Sequence, residues 1–104
     1  MIGRLWRGWT APGDADAYEA LLRSTILPGI HRVPGHRGAI LLRRDAGEDV
    51  EFVTLTFFES LGAVRAFAGA DHEAAVVPHT ARRFLARFDL RTRHYDVVLS
   101  PDGR

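Results

Sequence analysis

Apolar and charged side chains alternate from the start of the chain. In IGRLWRGWT (2–10), Ile2, Arg4 and Trp6 fall on one side of an extended strand, with Leu5, Arg7 and Trp9 on the other. After the turn APGD the period lengthens: Tyr18, Leu21, Leu22, Thr25 and Ile26 recur at helical spacing. Asp16 and Glu19 stand as in a capping box, and Pro28-Gly29 marks the expected end of that helix. GIHRVPGHRG reads as a loop. GAILLRR (38–44) and VEFVTLTFF (50–58) read as a hairpin across DAGED, the second strand being rich in β-branched and aromatic residues. Ser60 predicts the cap of a second helix that carries Leu61, Val64, Phe67 and Ala68 and closes at Gly69. Pro78 opens a short further helix with Ala81, Phe84, Leu85 and Phe88 on its apolar side, and DLRTRHYDVVL (89–99) is the last strand.

The order β-α-β-β-α-(α)-β predicts one α+β domain over residues 1–104. It is the ferredoxin-like split βαβ arrangement, a four-stranded antiparallel sheet with helices on one face. Both faces of the first and third strands carry large side chains: Trp6, Trp9, Phe52, Leu55, Phe57 and Phe58. A chain of this size does not leave such a face in water, so a homodimer burying it is expected.

Composition narrows the chemistry. A net charge of +1, with arginines spread among acids, gives no field for nucleic acid or an anionic membrane. There is no Cys, Lys, Asn or Gln. Disulfides, thiolate metal sites, Cys nucleophiles and Schiff bases are therefore excluded. Ser24, Ser60 and Ser100 lack a nucleophile-elbow context, which argues against a hydrolase. No apolar run approaches a membrane span, and MIGRLWRGWT lacks the apolar core of a signal peptide, so a cytoplasmic location is expected.

The stretch FAGADHEAAVVPHTARRF (67–84) holds His72 and His79 seven residues apart, beside Asp71, Glu73 and Arg82. On one continuous helix the imidazoles would share a face. Pro78 removes a backbone donor and disfavours helix at Val77, so the pair splits between a helix end and a new helix start. That leaves a compact His₂-carboxylate site awkward, and no metal is expected. The histidines are candidates for acid–base work at a pocket edge, or else solvent-facing helix-end residues. Arg82 could hold an anionic oxygen. Trp6 is an interface or core aromatic, or a flat wall against a planar ligand. Phe52, Phe67 and Phe84 are core residues and candidates for pocket lining. His31 and His36 flank Pro34-Gly35 with no spacing that suggests a site. His94 faces away from Tyr95, toward the sheet's outer surface.

The pattern MIGRLWRGW…DAYEALLR…EFVTLTFFES…VRAFAGADHEAAVVP…RHYDVV resembles the antibiotic biosynthesis monooxygenase-like group of the dimeric α/β-barrel superfamily over nearly the whole chain. The resemblance implies a homodimer whose two sheets pair into a barrel, and a pocket between sheet and helices in each protomer. One branch of the family oxidises aromatic polyketides with O₂ and no cofactor, in a pocket containing Asn, Trp, Tyr and Arg. Another degrades haem with an Asn, a Trp and a His ligand. This chain has no Asn, Phe67 stands about where those branches place a Trp, and Val77 stands where the haem branch places its His, two residues before His79. The resemblance implies a monooxygenase that takes a small apolar or aromatic molecule and uses no cofactor, with His72 or His79 as base and Arg82 as charge partner. The alternative is a non-catalytic homodimer that binds a small metabolite; haem degradation ranks below both.

Overall fold

Alternation along the first segment produces the central strand of the sheet, β1 (Ile2–Thr10). The computed structural model describes residues 1–101 and 103. β1 pairs antiparallel with β3 (Asp49–Phe58), which pairs antiparallel with β2 (His36–Ala46). Ala46 opposes Asp49, and the two-residue connection begins at Gly47 with φ 70°, a conformation that suits glycine at the first turn position. The hairpin thus forms where the sequence places it.

The first helix runs further than Pro28-Gly29 suggests. α1 (Ala15–Leu21) passes through a π-helical turn (Leu22–Ile26) into α2 (Leu27–His31). Within the turn the Leu27 N–H bonds the Leu22 carbonyl, one residue beyond the α pattern. That widened turn displaces the carbonyls a straight helix would set against Pro28, and the proline takes a first-turn position in α2, where it needs no donor. The capping-box reading of Asp16 and Glu19 is also corrected. Asp14 is the N-cap and makes no side-chain cap bond, while Asp16 and Glu19 each take a hydrogen bond from Arg43 of β2, at 3.0 Å.

α3 (Leu61–Ala68) is capped by Ser60, whose Oγ accepts from the Ala63 N–H at 3.1 Å, and ends at Gly69 with φ 94°. The short α4 (His79–Arg82) starts just after Pro78. The expected helix through Phe88 does not form: Leu85–Phe88 is a strand, β4, paired with Gly8–Thr10 of β1. Ala81, Phe84, Leu85 and Phe88 fit a helical period, but the unpaired edge of β1 draws the segment into the sheet. The final strand is interrupted as well. β5 (Arg93–Asp96) pairs with Ile2–Leu5, and residues 89–92 leave the ladder between β4 and β5. There Ala75 N–H bonds the Leu90 carbonyl and Thr92 N–H the Glu73 carbonyl, which ties the loop after α3 to this break. The architecture is the α+β ferredoxin-like one, with the fourth strand in two pieces.

The core lies between the helix-facing side of the sheet and α1. Ala15, Tyr18, Leu22, Val50, Phe52 and Ala81 are buried together, with Tyr18 edge-on to Phe52 at 4.9 Å between ring centroids. On the opposite side of the sheet, Leu5, Ile40, Val53, Leu55 and Phe57 are half-buried, and Leu42 and Tyr95 are exposed.

Candidate functional site

Beside the packed core, the helices stand off the sheet and leave a slot of about 60 Å³ that opens to solvent. That is room for a few water molecules, below the roughly 300–1,000 Å³ of small-molecule sites, so a flat ligand would have to lift the roof. The sheet provides the floor through Arg4 and Trp6 of β1 and Thr54 and Thr56 of β3. These four share a face because β residues alternate and the register sets Arg4 against Thr56 and Trp6 against Thr54. The roof is apolar: Leu22, Ile26 and Leu27 of the π-helical turn and its exit, and the loop residues Val76 and Val77. Phe67, near the end of α3, closes one side.

Two contacts fix the tryptophan. Its Nε1–H donates to the Asp89 carbonyl at 2.8 Å, in the break between β4 and β5, and its ring tilts against Phe88 at 6.1 Å. Beside it Gly8 leaves room for the indole; a Cβ there would lie 2.7 Å from the Trp6 ring and 3.0 Å from Leu85. Gly8→Ala is therefore expected to push the indole into the slot and weaken binding of a flat aromatic ligand by about tenfold, the scale of a local overpacking penalty. Fluorescence titration of the two proteins with one aromatic ligand checks this.

Arg4 forms the polar end. It is 4% exposed, yet its partners are neutral: the carbonyls of His72 and Ala74, the latter at 2.9 Å, and Nε2 of His94 at 3.1 Å. It also lies over the Phe67 ring at 5.6 Å. Burial lowers its pKa to about 10. A guanidinium only donates, so His94 accepts at Nε2 and carries its proton on Nδ1, which is buried and has no partner. Burial, then the charges of Arg4 and His72, push the His94 pKa down. His36, edge-on to Phe58 and bonded to His31 at 3.3 Å, is pushed down by burial and then by His31.

Both histidines thus bind protons more readily in the unfolded chain. Their contribution to stability is present above the ordinary histidine value of about 6.5 and is lost as pH falls through it toward the lower folded-state values. Urea unfolding is expected to show a lower midpoint at about pH 5.5 than at about pH 7.5.

Of the residues singled out in the sequence, Trp6 and Phe67 line the slot. Phe52 is fully buried in the core, and Phe84 packs against that core beneath Arg83; neither lines the slot. His72 is half-buried on the far side of Arg4, in a separate surface depression with Glu73, Tyr95 and Asp96, its ring 5.1 Å from that of His94. His79 is exposed at the start of α4. Arg82 is exposed too, donating to the Val77 carbonyl at 3.2 Å. The fold therefore does not join His72 and His79, and no group of three His, Asp or Glu residues able to hold a metal ion occurs among the described residues. Sequence reasoning missed Arg4, Thr54, Thr56 and the placement of His94 beside Arg4. The alternation that put Arg4 on the Trp6 face was the available signal.

The split βαβ sheet, with a slot between it and its helices, is the fold of a known family. The description of the antibiotic biosynthesis monooxygenase family matches residues 1–79, and the chain belongs to that family. No curated protein matches it in sequence. Among solved structures, MhuD from Mycobacterium tuberculosis, a haem-degrader with two haems bound in its active site, is 24% identical over 96% of this chain and 98% of its own, with a TM-score of 0.62. SnoaB from Streptomyces nogalater, a cofactor-independent oxygenase solved as an asparagine-to-alanine variant, is 17% identical over 96% and 95%, with a TM-score of 0.61. At these identities the likeness is one of fold. Among the described residues no helix is long and apolar enough to cross a membrane.

Proposed function

We propose that the protein binds a small, flat, largely apolar molecule in the slot between sheet and helices and oxidises it with O₂, without a cofactor. The observation that carries this is the slot: an indole and a phenyl ring flank a mainly apolar space whose polar groups are Arg4, Thr54 and Thr56 on the floor, with Tyr18 and Thr92 at its sides. In the reaction a ring CH₂ flanked by aromatic rings loses a proton, the carbanion reduces O₂, and the CH₂ becomes C=O as one water is released. Atoms and electrons balance with substrate and O₂ alone. Trp6 and Phe67 hold the ring plane, and the aliphatic roof excludes water from the reactive anion.

His72, His79 and Arg82 were the sequence's candidates for acid–base work, but none of them lines the slot. The proton is therefore assigned to solvent at the slot's open side. The probe is anthrone: incubation in air with chelator-treated protein is expected to give anthraquinone faster than buffer does. Recovery of unaltered anthrone that had bound would instead leave a non-catalytic binder. One observation favours that second reading: the lining holds no imidazole or carboxylate.

Haem is the weaker fit to the lining. An iron porphyrin needs an axial donor, and the lining offers only the Tyr18 phenol, which burial holds well above the usual range and so keeps protonated. Location in the cytoplasm and assembly as a homodimer belong to the same proposal. The half-buried apolar face of Leu5, Ile40, Val53, Leu55 and Phe57 supports the dimer, since a second copy of this chain would cover it.

A further inference from the structure

Arg4 is a buried cation at the polar end of the slot. Taking a guanidinium out of water costs several kcal/mol unless an opposite charge accompanies it, and this one is among the most buried polar residues of the chain. Among the described residues no carboxylate forms an ion pair with it; every other contact it makes is to a carbonyl oxygen, an imidazole nitrogen or a ring face. Carbonyl dipoles hold a cation in place but do not neutralise it.

The hydrogen-bond pattern shows where the missing charge belongs. Nη1 donates to both the His72 carbonyl and His94 Nε2, and Nη2 donates once, to the Ala74 carbonyl. Three of the five N–H groups are thereby used, which leaves the Nε–H and one Nη2 N–H. Nε and Nη2 are neighbouring nitrogens of the planar fork, and a carboxylate can accept from both. The side chain that carries them lines the slot, with Trp6 and Thr56 as neighbours on the floor. The cation is also held in a fixed place, since the two carbonyls come from the 72–74 loop, which Thr92 further anchors through the Glu73 carbonyl at 3.1 Å.

We propose that the slot's ligand is an aromatic carboxylate whose acid group pairs with Arg4 while its ring system lies between Trp6 and Phe67. This rests on the slot being the ligand site and adds the ligand's chemical class: a flat acid, held more tightly than a neutral ring system of the same shape such as anthrone. Among the described residues the guanidinium meets dipoles and a ring face but no carboxylate, so an acid ligand gains a buried, charged partner that a neutral isostere lacks.

The probes are naphthoate and naphthamide, equal in shape and different in charge, titrated near pH 7.5 with tryptophan fluorescence as readout. Wild-type protein is expected to bind naphthoate at least about tenfold more tightly, the worth of one buried charge-assisted bond. Arg4→Met is expected to bring the ratio to about one. Arg4→Lys, which keeps the charge and loses the fork, should retain part of the preference; it serves as the variant if Arg4→Met fails to fold by far-UV circular dichroism. Equal binding of both probes by wild-type protein, or a preference undiminished in either variant, overturns the proposal while the slot stands as an apolar site. Binding of neither probe overturns the slot reading and the proposal with it.

Discussion

Phe52→Ala is expected to cost about 3–5 kcal/mol, the usual range for removing a fully buried phenyl ring. Phe52 has no exposed surface, meets Tyr18 edge-on, and carries the Arg43 guanidinium over its outer face at 5.3 Å. Its neighbours come from the sheet on one side and α1 on the other, so neither layer can close the cavity without shifting the other. Set against a total stability of about 5–15 kcal/mol for an ordinary domain, the loss is a large fraction. Urea denaturation of the two proteins measures it. A loss under about 1 kcal/mol would mean that the layers are not packed as described.

The second large effect concerns assembly. Leu55 lies mid-strand on the face away from the helices, opposite Leu5 of β1 and Ile40 of β2. It is only half-buried in one protomer, so Leu55→Asp is expected to leave that protomer folded. If a second copy covers the face, the symmetric pairing places two unpaired carboxylates in the interface, each costing a few kcal/mol. The dimer should then dissociate at concentrations about a thousandfold higher. Sedimentation velocity reads this directly: a wild-type dimer and a monomeric variant are expected, whereas a wild-type monomer at all concentrations would remove the dimer from the account.

Much of the fold was legible because local pattern and tertiary role agree. β1 and β3 alternate in sequence as they do in the sheet, Ser60 and Gly69 bound α3 as their chemistry directs, and the hairpin turns at Gly47. The misreadings are places where distant contacts, or a shift of helical register, outweigh local preference. Pro28 is accommodated by a π-helical turn whose register no single residue announces. Leu85 and Phe88 fit a helix but serve the edge of β1. Asp16 and Glu19, spaced like a cap, turn to Arg43 on a strand 24 residues or more away.

The candidate site was legible in part for the same reason. Trp6 and Phe67 are aromatic residues on elements whose inner faces a periodicity reveals. His72 and His79 drew attention by their spacing, yet they sit on either side of an irregular loop whose path is set by contacts with residues 90–92. Arg4 looked like one charge in an alternating strand. Only the approach of the 72–74 loop and of His94 makes it a buried cation, and no sequence spacing encodes that meeting.

Dissolved-oxygen uptake by chelator-treated protein given anthrone, compared with buffer and with Gly8→Ala, tests the central claim most directly. The account predicts one O₂ consumed per anthraquinone formed, at a rate above buffer and lowered in the variant that crowds Trp6. A wild-type rate equal to that of buffer would contradict it.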